Sequence, residues 1–322
     1  MAAHPITSSM RGTANRLLLS CDAEQRRDLH HSLTSESLNR WTYLPHPRPG
    51  LLLGQMTKAQ RLLVHELLGL ILSEACHAQI AMIMAMEDVL NRREGYCRGR
   101  HSTDFWFLLF GNPDQDEIVS WRLEGHHVCV QANIDGVELT VDPLFLGCHP
   151  ALISQGGRVV AEPLAREEQL ARELIGSLEP AQRGRVLTTP DAPPDIYTGN
   201  RGPLRAHELR SLRTGIPVAE FEPPGRQHLD TLLDLYAGRL VDALADPLRA
   251  DLADDALKFC WEGGLHRSEP HYYRLTGNRY VIEHENATHQ ANHIHNVVRR
   301  RRPEPGGADV LSQHLAAESA DG

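Results

Sequence analysis

Apolar residues recur at spacings of three and four between Thr57 and about Glu94: Leu62, Leu63, Leu67, Leu70 and Ile71, then Ile80, Ile83, Met84 and Leu90. That spacing lines one face of an α-helix. It predicts two helices broken near Leu72–Ser73, with Ser73 as the N-cap of the second. From 104 to 142 the period shortens. The segments "DFWFLLF", "EIVSWRLEG", "HHVCVQANI" and "VELTVDPLF" are strand-like, and the turn signals "GNPD" and "DG" separate them. Residues from about 163 to 260 read as helices with proline-rich joints such as "TTPDAPPD" and "EFEPPG". Strand-like segments return in "HYYRLTG", "RYVIEHEN" and "NHIHNVVR", and "GADVLSQHLAA" predicts a short closing helix.

Two strand-rich blocks framed by helices predict an α+β fold. Its mainly antiparallel sheet or partial barrel is formed by strands from residues 104–142 and 271–299. Residues 1–40 are polar and rich in Ser and Arg, and predict a loosely packed lead-in; residues 41–322 then form a single α+β domain. No internal repeat, GxGxxG or P-loop supports a nucleotide-binding fold.

Composition narrows the function classes. A net charge of −9 over 322 residues gives no general field for a polyphosphate. The basic run Arg299–Arg302, just before "PEPGG", reads as a solvated loop. Six cysteines without a CxxC pair argue against a zinc ribbon and against a thioredoxin-type motif. No apolar run reaches the roughly 18 residues of a membrane span. The three-leucine stretch near the start is too short for a secretory segment. The expectation is a cytoplasmic protein with reduced thiols and a small-molecule substrate, no nucleic acid and no membrane, its oligomeric state open.

The candidate chemistry lies in the histidines. On a strand, residues two apart share a face at about 6.6 Å. His293 and His295 are such a pair, and two imidazoles so placed can lean onto one ion with bonds of about 2.1 Å. The preceding strand carries Glu283 and Glu285, also two apart. If "ATHQA" connects the strands and Asn286 pairs with Asn292, Glu285 faces His293 and Glu283 faces His295. A one-residue slip would bring His284 to that face instead. Exposed cross-strand Glu–His pairs, each worth about 0.2–1 kcal/mol, are the bland alternative.

In "WRLEGHHVCV" a continuous strand would put His126 and His127 on opposite faces, with Glu124 on the side of His126. One of the two histidines can reach across the sheet to complete a site. The reading leans to His126, with Glu124 as the acceptor that orients it. The metal set is then His126, Glu283, His293 and His295. The catalytic set is His127, Glu124, Glu285 and Arg274, the last as a binder of a substrate carboxylate. Mixed imidazole and carboxylate donors suit a divalent transition metal, Fe or Cu first and Zn or Mn as alternatives. No GxSxG and no cysteine or serine in nucleophile context supports covalent catalysis.

The stretches "WTYLPHPRPGLLLGQMTKAQR", "LLFGNPD", "WRLEGHHVCVQANIDG", "VDPLFLGCHPAL", "HYYRLTGNRYVIEHENATHQANHIHNVVR" and "DVLSQH" resemble, in this order, the family called domain of unknown function 3500. The family pattern usually has aspartate at Glu285, tryptophan at Val298 and an acidic residue at Arg300. The resemblance implies the same segmentation and singles out His126, His127, Glu283, His293 and His295, without naming a reaction. Three functions are expected. The first is an oxygen-activating Fe or Cu oxidoreductase acting on a small organic substrate. The second is a zinc-type hydrolase of an ester, amide or lactone. The third is a metal- or ligand-binding protein without turnover.

Overall fold

The two strand-rich blocks fold into two antiparallel meanders. The first contains β1 (Phe105–Phe110), β2 (Ile118–Gly125), β3 (Val128–Asp135) and β4 (Glu138–Cys148). The second contains β5 (Lys258–Gly263), β6 (His271–Thr276), β7 (Tyr280–Asn286) and β8 (Ile294–Arg302). Within each, consecutive strands pair antiparallel. The computed structural model describes residues 5–200, 204–205, 209 and 212–302; the expected closing helix lies outside them.

The meanders join through their last strands. β4 pairs antiparallel with β8, setting His295 opposite Gly147 and Val297 opposite Phe145. The order is therefore β1-β2-β3-β4-β8-β7-β6-β5, with short strands at the margins, and the sheet does not close into a barrel. The α+β class and the mainly antiparallel sheet agree with the expectation.

Alternation along the strands splits the sheet into two unlike faces. Leu144, Leu146, Cys148 and Ile294 point to helices α1 (Pro5–Ser20), α2 (Lys58–Ile71) and α3 (Glu74–Arg93), where Leu17, Leu67, Ile71 and Ile80 meet them in the larger core. Tyr273, Leu275, Ile282 and Val298 continue that face against α4 (Ala165–Ser177) and α5 (Pro223–Ala237). Each buried leucine or isoleucine contributes about 1.5–3 kcal/mol. The other face carries Arg122, Glu124, Arg274, Glu283, Glu285 and His295, all buried, around the aromatic cluster of Trp41, Tyr43 and Phe145.

The break between α2 and α3 falls where expected, and the Ser73 hydroxyl accepts from Cys76 N at 3.3 Å. The loosely packed lead-in is corrected. Met10, Ala14 and Leu17, spaced four and three, are buried in the larger core. Arg11 ties α1 to the carbonyls of Pro113 and Asp116 at 3.1 and 2.7 Å. The many serines and arginines around this stripe lie on its polar side and hide it in a composition count. Arg299–Arg302 likewise form the end of β8 rather than a solvated loop, and Arg299 is buried. Among the described residues no helix is long and apolar enough to cross a membrane, and none of the six cysteines forms a disulfide.

The helical face also buries His271, stacked on Trp261 at 5.3 Å between ring centroids. Burial, then the nearby Arg172, pushes its pKa down to about 3. The fold thus holds it neutral, while the unfolded chain takes up its proton near 6.5. The stability it contributes is complete above pH 6.5 and is lost as pH falls toward 3. In chelator-treated protein the melting temperature should fall through that window, and His271→Phe should flatten the acid limb. Identical acid limbs in the two proteins would contradict this account.

Candidate metal centre

The β2–β3 hairpin sets the geometry. Gly125 pairs with Val128, so His126 and His127 form a two-residue turn, with His127 at φ 67°. The expected continuous strand is corrected: a turn at "GHH" shifts the core-facing positions from odd (Trp121, Leu123) to even (Val128, Val130). The two rings stack at 3.6 Å but serve different partners. His126 Nδ1 lies 2.5 Å from Glu87 Oε1 on α3 and 3.2 Å from Arg100 Nη1. His127 Nε2 lies 2.8 Å from His293 Nε2.

His127, rather than His126, therefore stands with His293 and His295. One nitrogen of each lies within 4.8 Å of the others, and the ring centroids are 4.7–5.4 Å apart. The 2.8 Å contact suits an N–H···N hydrogen bond, and is also close to the roughly 3.0 Å between adjacent ligands of one ion with 2.1 Å bonds. Gly147 on β4 makes room for the group. A Cβ there would sit 2.9 Å from the His127 ring and 3.2 Å from the His295 ring.

Burial, and secondarily the neighbouring imidazoles, lowers His127 far below its ordinary pKa and brings His293 down to about 2. Both are held neutral, the form that offers a lone pair to a cation. Outer partners fix the rings through Nδ1. His295 Nδ1 lies 2.7 Å from Asp195 Oδ1 and 3.5 Å from Glu285 Oε2, and Tyr43 donates its hydroxyl to Asp195 Oδ2 at 2.9 Å. His293 Nδ1 lies 3.1 Å from Thr288 Oγ1. Burial works against the Asp195 carboxylate, but its hydrogen bond and attraction to His295 keep its pKa below the usual value. Burial raises Glu285 to about 9, with the Ala287 N–H opposing and the Asp195 charge adding. His149, at the end of β4, stacks on His293 at 4.7 Å between centroids and extends the histidine cluster toward His289.

Glu283, Glu285 and His295 share one face, as the alternation requires, but the register differs from the expected one by two residues. Glu285 opposes His295, and Glu283 opposes Val297. The connection is longer than "ATHQA": His289, Gln290 and Ala291 all have positive φ, and the Asn286 side chain accepts from His293 N at 3.1 Å. The slip moves Glu283 away from the imidazoles. Its carboxylate accepts from Tyr197 N at 2.7 Å, Tyr272 Oη at 2.8 Å and the Thr198 hydroxyl. Glu124 does not orient His126; it pairs with Arg122 at 3.2 Å and accepts from Thr42 N. Arg274 is buried, donating to Tyr272 Oη and Thr276 Oγ1 at 2.9 Å each and to the Arg213 carbonyl, so its guanidinium is committed inside the fold.

Asp195, Tyr43, Thr288, His149 and Gly147 belong to the centre without having been singled out. Asp195 lies in the proline-rich joint, where no periodicity says which side chain points inward. An open cleft of about 570 Å³ is lined by Asp191, Pro194, Glu269, Pro270, Ala287 and Thr288, the last of which also touches His293.

No curated protein and no solved structure matches the chain. The family model described as Protein of unknown function (DUF3500) matches residues 4–305, and the chain belongs to that family.

Proposed function

We propose that the protein is a metal-dependent enzyme acting on a small organic molecule, with His127, His293 and His295 holding a divalent transition metal. The observation that supports this is three imidazoles converging within 4.8 Å, two of them fixed through Nδ1 by Asp195 and Thr288. That is the arrangement in which a ring presents Nε2 to a metal while its other nitrogen is held from behind. Uncharged ligands leave the charge of a metal undiminished, and such a metal lowers the pKa of coordinated water to about 7.

Hydrolysis of an ester, amide or lactone uses the remaining groups as they stand. Glu285, beside His295, is placed to exchange a proton with substrate entering from the cleft at Ala287 and Thr288. Asp195 keeps His295 in its tautomer, and Tyr43 keeps Asp195 in place. Oxygen activation by iron or copper is the second reading. It is favoured by the rings of Tyr43 and Phe145, 5.0 and 5.6 Å from that of His295, because an apolar shell tunes redox potential.

Elemental analysis of protein purified with and without air tests both readings. Zinc, with esterase or lactonase turnover that survives anaerobic handling, supports hydrolysis. Iron or copper with oxygen uptake supports the second reading. Protein that purifies without metal and gains none from Zn(II), Fe(II) or Cu(II) would remove both. Asp195→Asn should weaken metal binding by about 10–100-fold in chelator competition, with Tyr43→Phe a smaller loss in the same direction; unchanged affinity in Asp195→Asn would deny the carboxylate its orienting role.

A further inference from the structure

We propose a second metal site, on the helical face of the sheet, built by Glu168, His271 and His284 and suited to a zinc-like divalent ion. It rests on no part of the catalytic reading. Glu168 comes from α4, His271 opens β6 and His284 lies opposite Tyr273 on β7. Alternation puts His284 on the reverse side of the strand from Glu283 and Glu285. All three residues are buried, and one potential ligand atom of each lies within 4.8 Å of the others.

The sign of a missing ligand is the state of the ring nitrogens. Nε2 of His271 and Nε2 of His284 are both buried without a hydrogen-bond partner. Each such orphan costs about 1–3 kcal/mol, and native interiors keep few of them. His271 Nδ1 lies 3.0 Å from the Glu269 carbonyl, the contact that leaves Nε2 as the lone-pair nitrogen. That nitrogen is 3.8 Å from Glu168 Oε2. The gap is too wide for a hydrogen bond, yet it fits two ligands sharing one ion, which lie about 3.0–4.2 Å apart when each bond is near 2.1 Å.

His284 Nδ1 meets the side-chain amide of Asn296 at 3.2 Å, and Asn296 Oδ1 has no partner. The same amide nitrogen donates to the Tyr236 hydroxyl at 2.7 Å. Turning the amide over would make Oδ1 the acceptor for both His284 Nδ1–H and the Tyr236 hydroxyl, whose proton is free to point either way. It would leave His284 Nε2 as a donor of electrons to the ion. Charge is compatible. Glu168 Oε1 pairs with Arg172 at 2.8 Å, Arg239 pairs with Glu167 at 2.8 Å, and Asn286 Nδ2 donates to Glu168 Oε2 at 3.2 Å. Arg172 also donates toward His271 Nδ1 at 2.9 Å, in competition with the Glu269 carbonyl for that nitrogen. The site therefore needs the Glu168 carboxylate to draw the guanidinium away and to offset its charge. An ion here would tie α4 to β6 and β7, a structural rather than catalytic bond, because the site is enclosed.

The test is anomalous diffraction at the zinc edge on crystals of the full chain, stripped by chelator and then soaked in Zn(II). The expected result is a peak within bonding distance of His271 Nε2, His284 Nε2 and Glu168, whether or not His127, His293 and His295 also carry one. A peak at the latter trio alone, with only water-sized density beside His284, overturns this proposal and leaves the catalytic reading intact. A peak beside His284 alone does the reverse, and no peak at either place removes both. In solution, Zn(II) should raise the melting temperature of the His293→Ala/His295→Ala protein. Adding Glu168→Gln should abolish that rise; if the rise persists, Glu168 is no ligand.

Discussion

His295→Ala and His293→Ala should each leave the His127 site with less than about a tenth of its wild-type metal. Loss of a group that merely supports a ligand costs 10–100-fold in affinity, so loss of the ligand itself should cost at least about 100-fold. The fold should survive. Both histidines sit where β8 begins, and neither belongs to the two large cores. Without metal the variants should melt within about 3 °C of the wild type, the scale of a 1 kcal/mol change in a large domain. Site-resolved occupancy, by anomalous diffraction or by a Co(II) spectrum, separates this loss from any ion bound elsewhere. Full occupancy of the His127 site in both variants would end the assignment.

Gly147→Ala should damage the same centre from the backbone side. The added Cβ would lie 2.6 Å from the Ile294 carbonyl oxygen and 2.9 Å from the His127 ring. The carbonyl belongs to the β4–β8 pairing and cannot swing away as a side-chain tip would. Overpacking of this kind costs about 1–3 kcal/mol. The strand shift that relieves it also spreads His127 from His295, so metal affinity should fall by more than 10-fold alongside stability. A protein with the melting temperature and metal content of the wild type would show that the space above Gly147 is not what seats the imidazoles.

Much of the scaffold was legible residue by residue, and the reasons for the exceptions are physical. The helix break at Ser73 carries a local signal, a side-chain cap. The two strand-rich blocks carry another, the period of two. The pairing of β4 with β8 has no local signal, because the partners are some 150 positions apart in the chain and only packing brings them together. Around the centre, alternation correctly grouped Glu283, Glu285 and His295, since a face depends on parity alone. It misjudged which residues stand opposite one another, because register depends on loop length, and three positive-φ residues lengthen the loop. His126 and His127 were misjudged because a two-residue turn made of histidines lacks the Asn-Gly or Asp-Gly that normally announces one. Asp195 was missed because a proline-rich joint has no periodicity to reveal its inward side.

The backbone of His127 has a consequence for how the protein would change under selection. At φ 67° a glycine or asparagine fits better than any residue with a branched or ring-bearing side chain. His127→Gly would relieve about 1–2 kcal/mol of backbone strain but would empty the space of a buried, stacked ring. A laboratory screen that rewards only heat resistance therefore sets one against the other. Retention of histidine at this position after such a screen would mean that the ring itself holds the hairpin together.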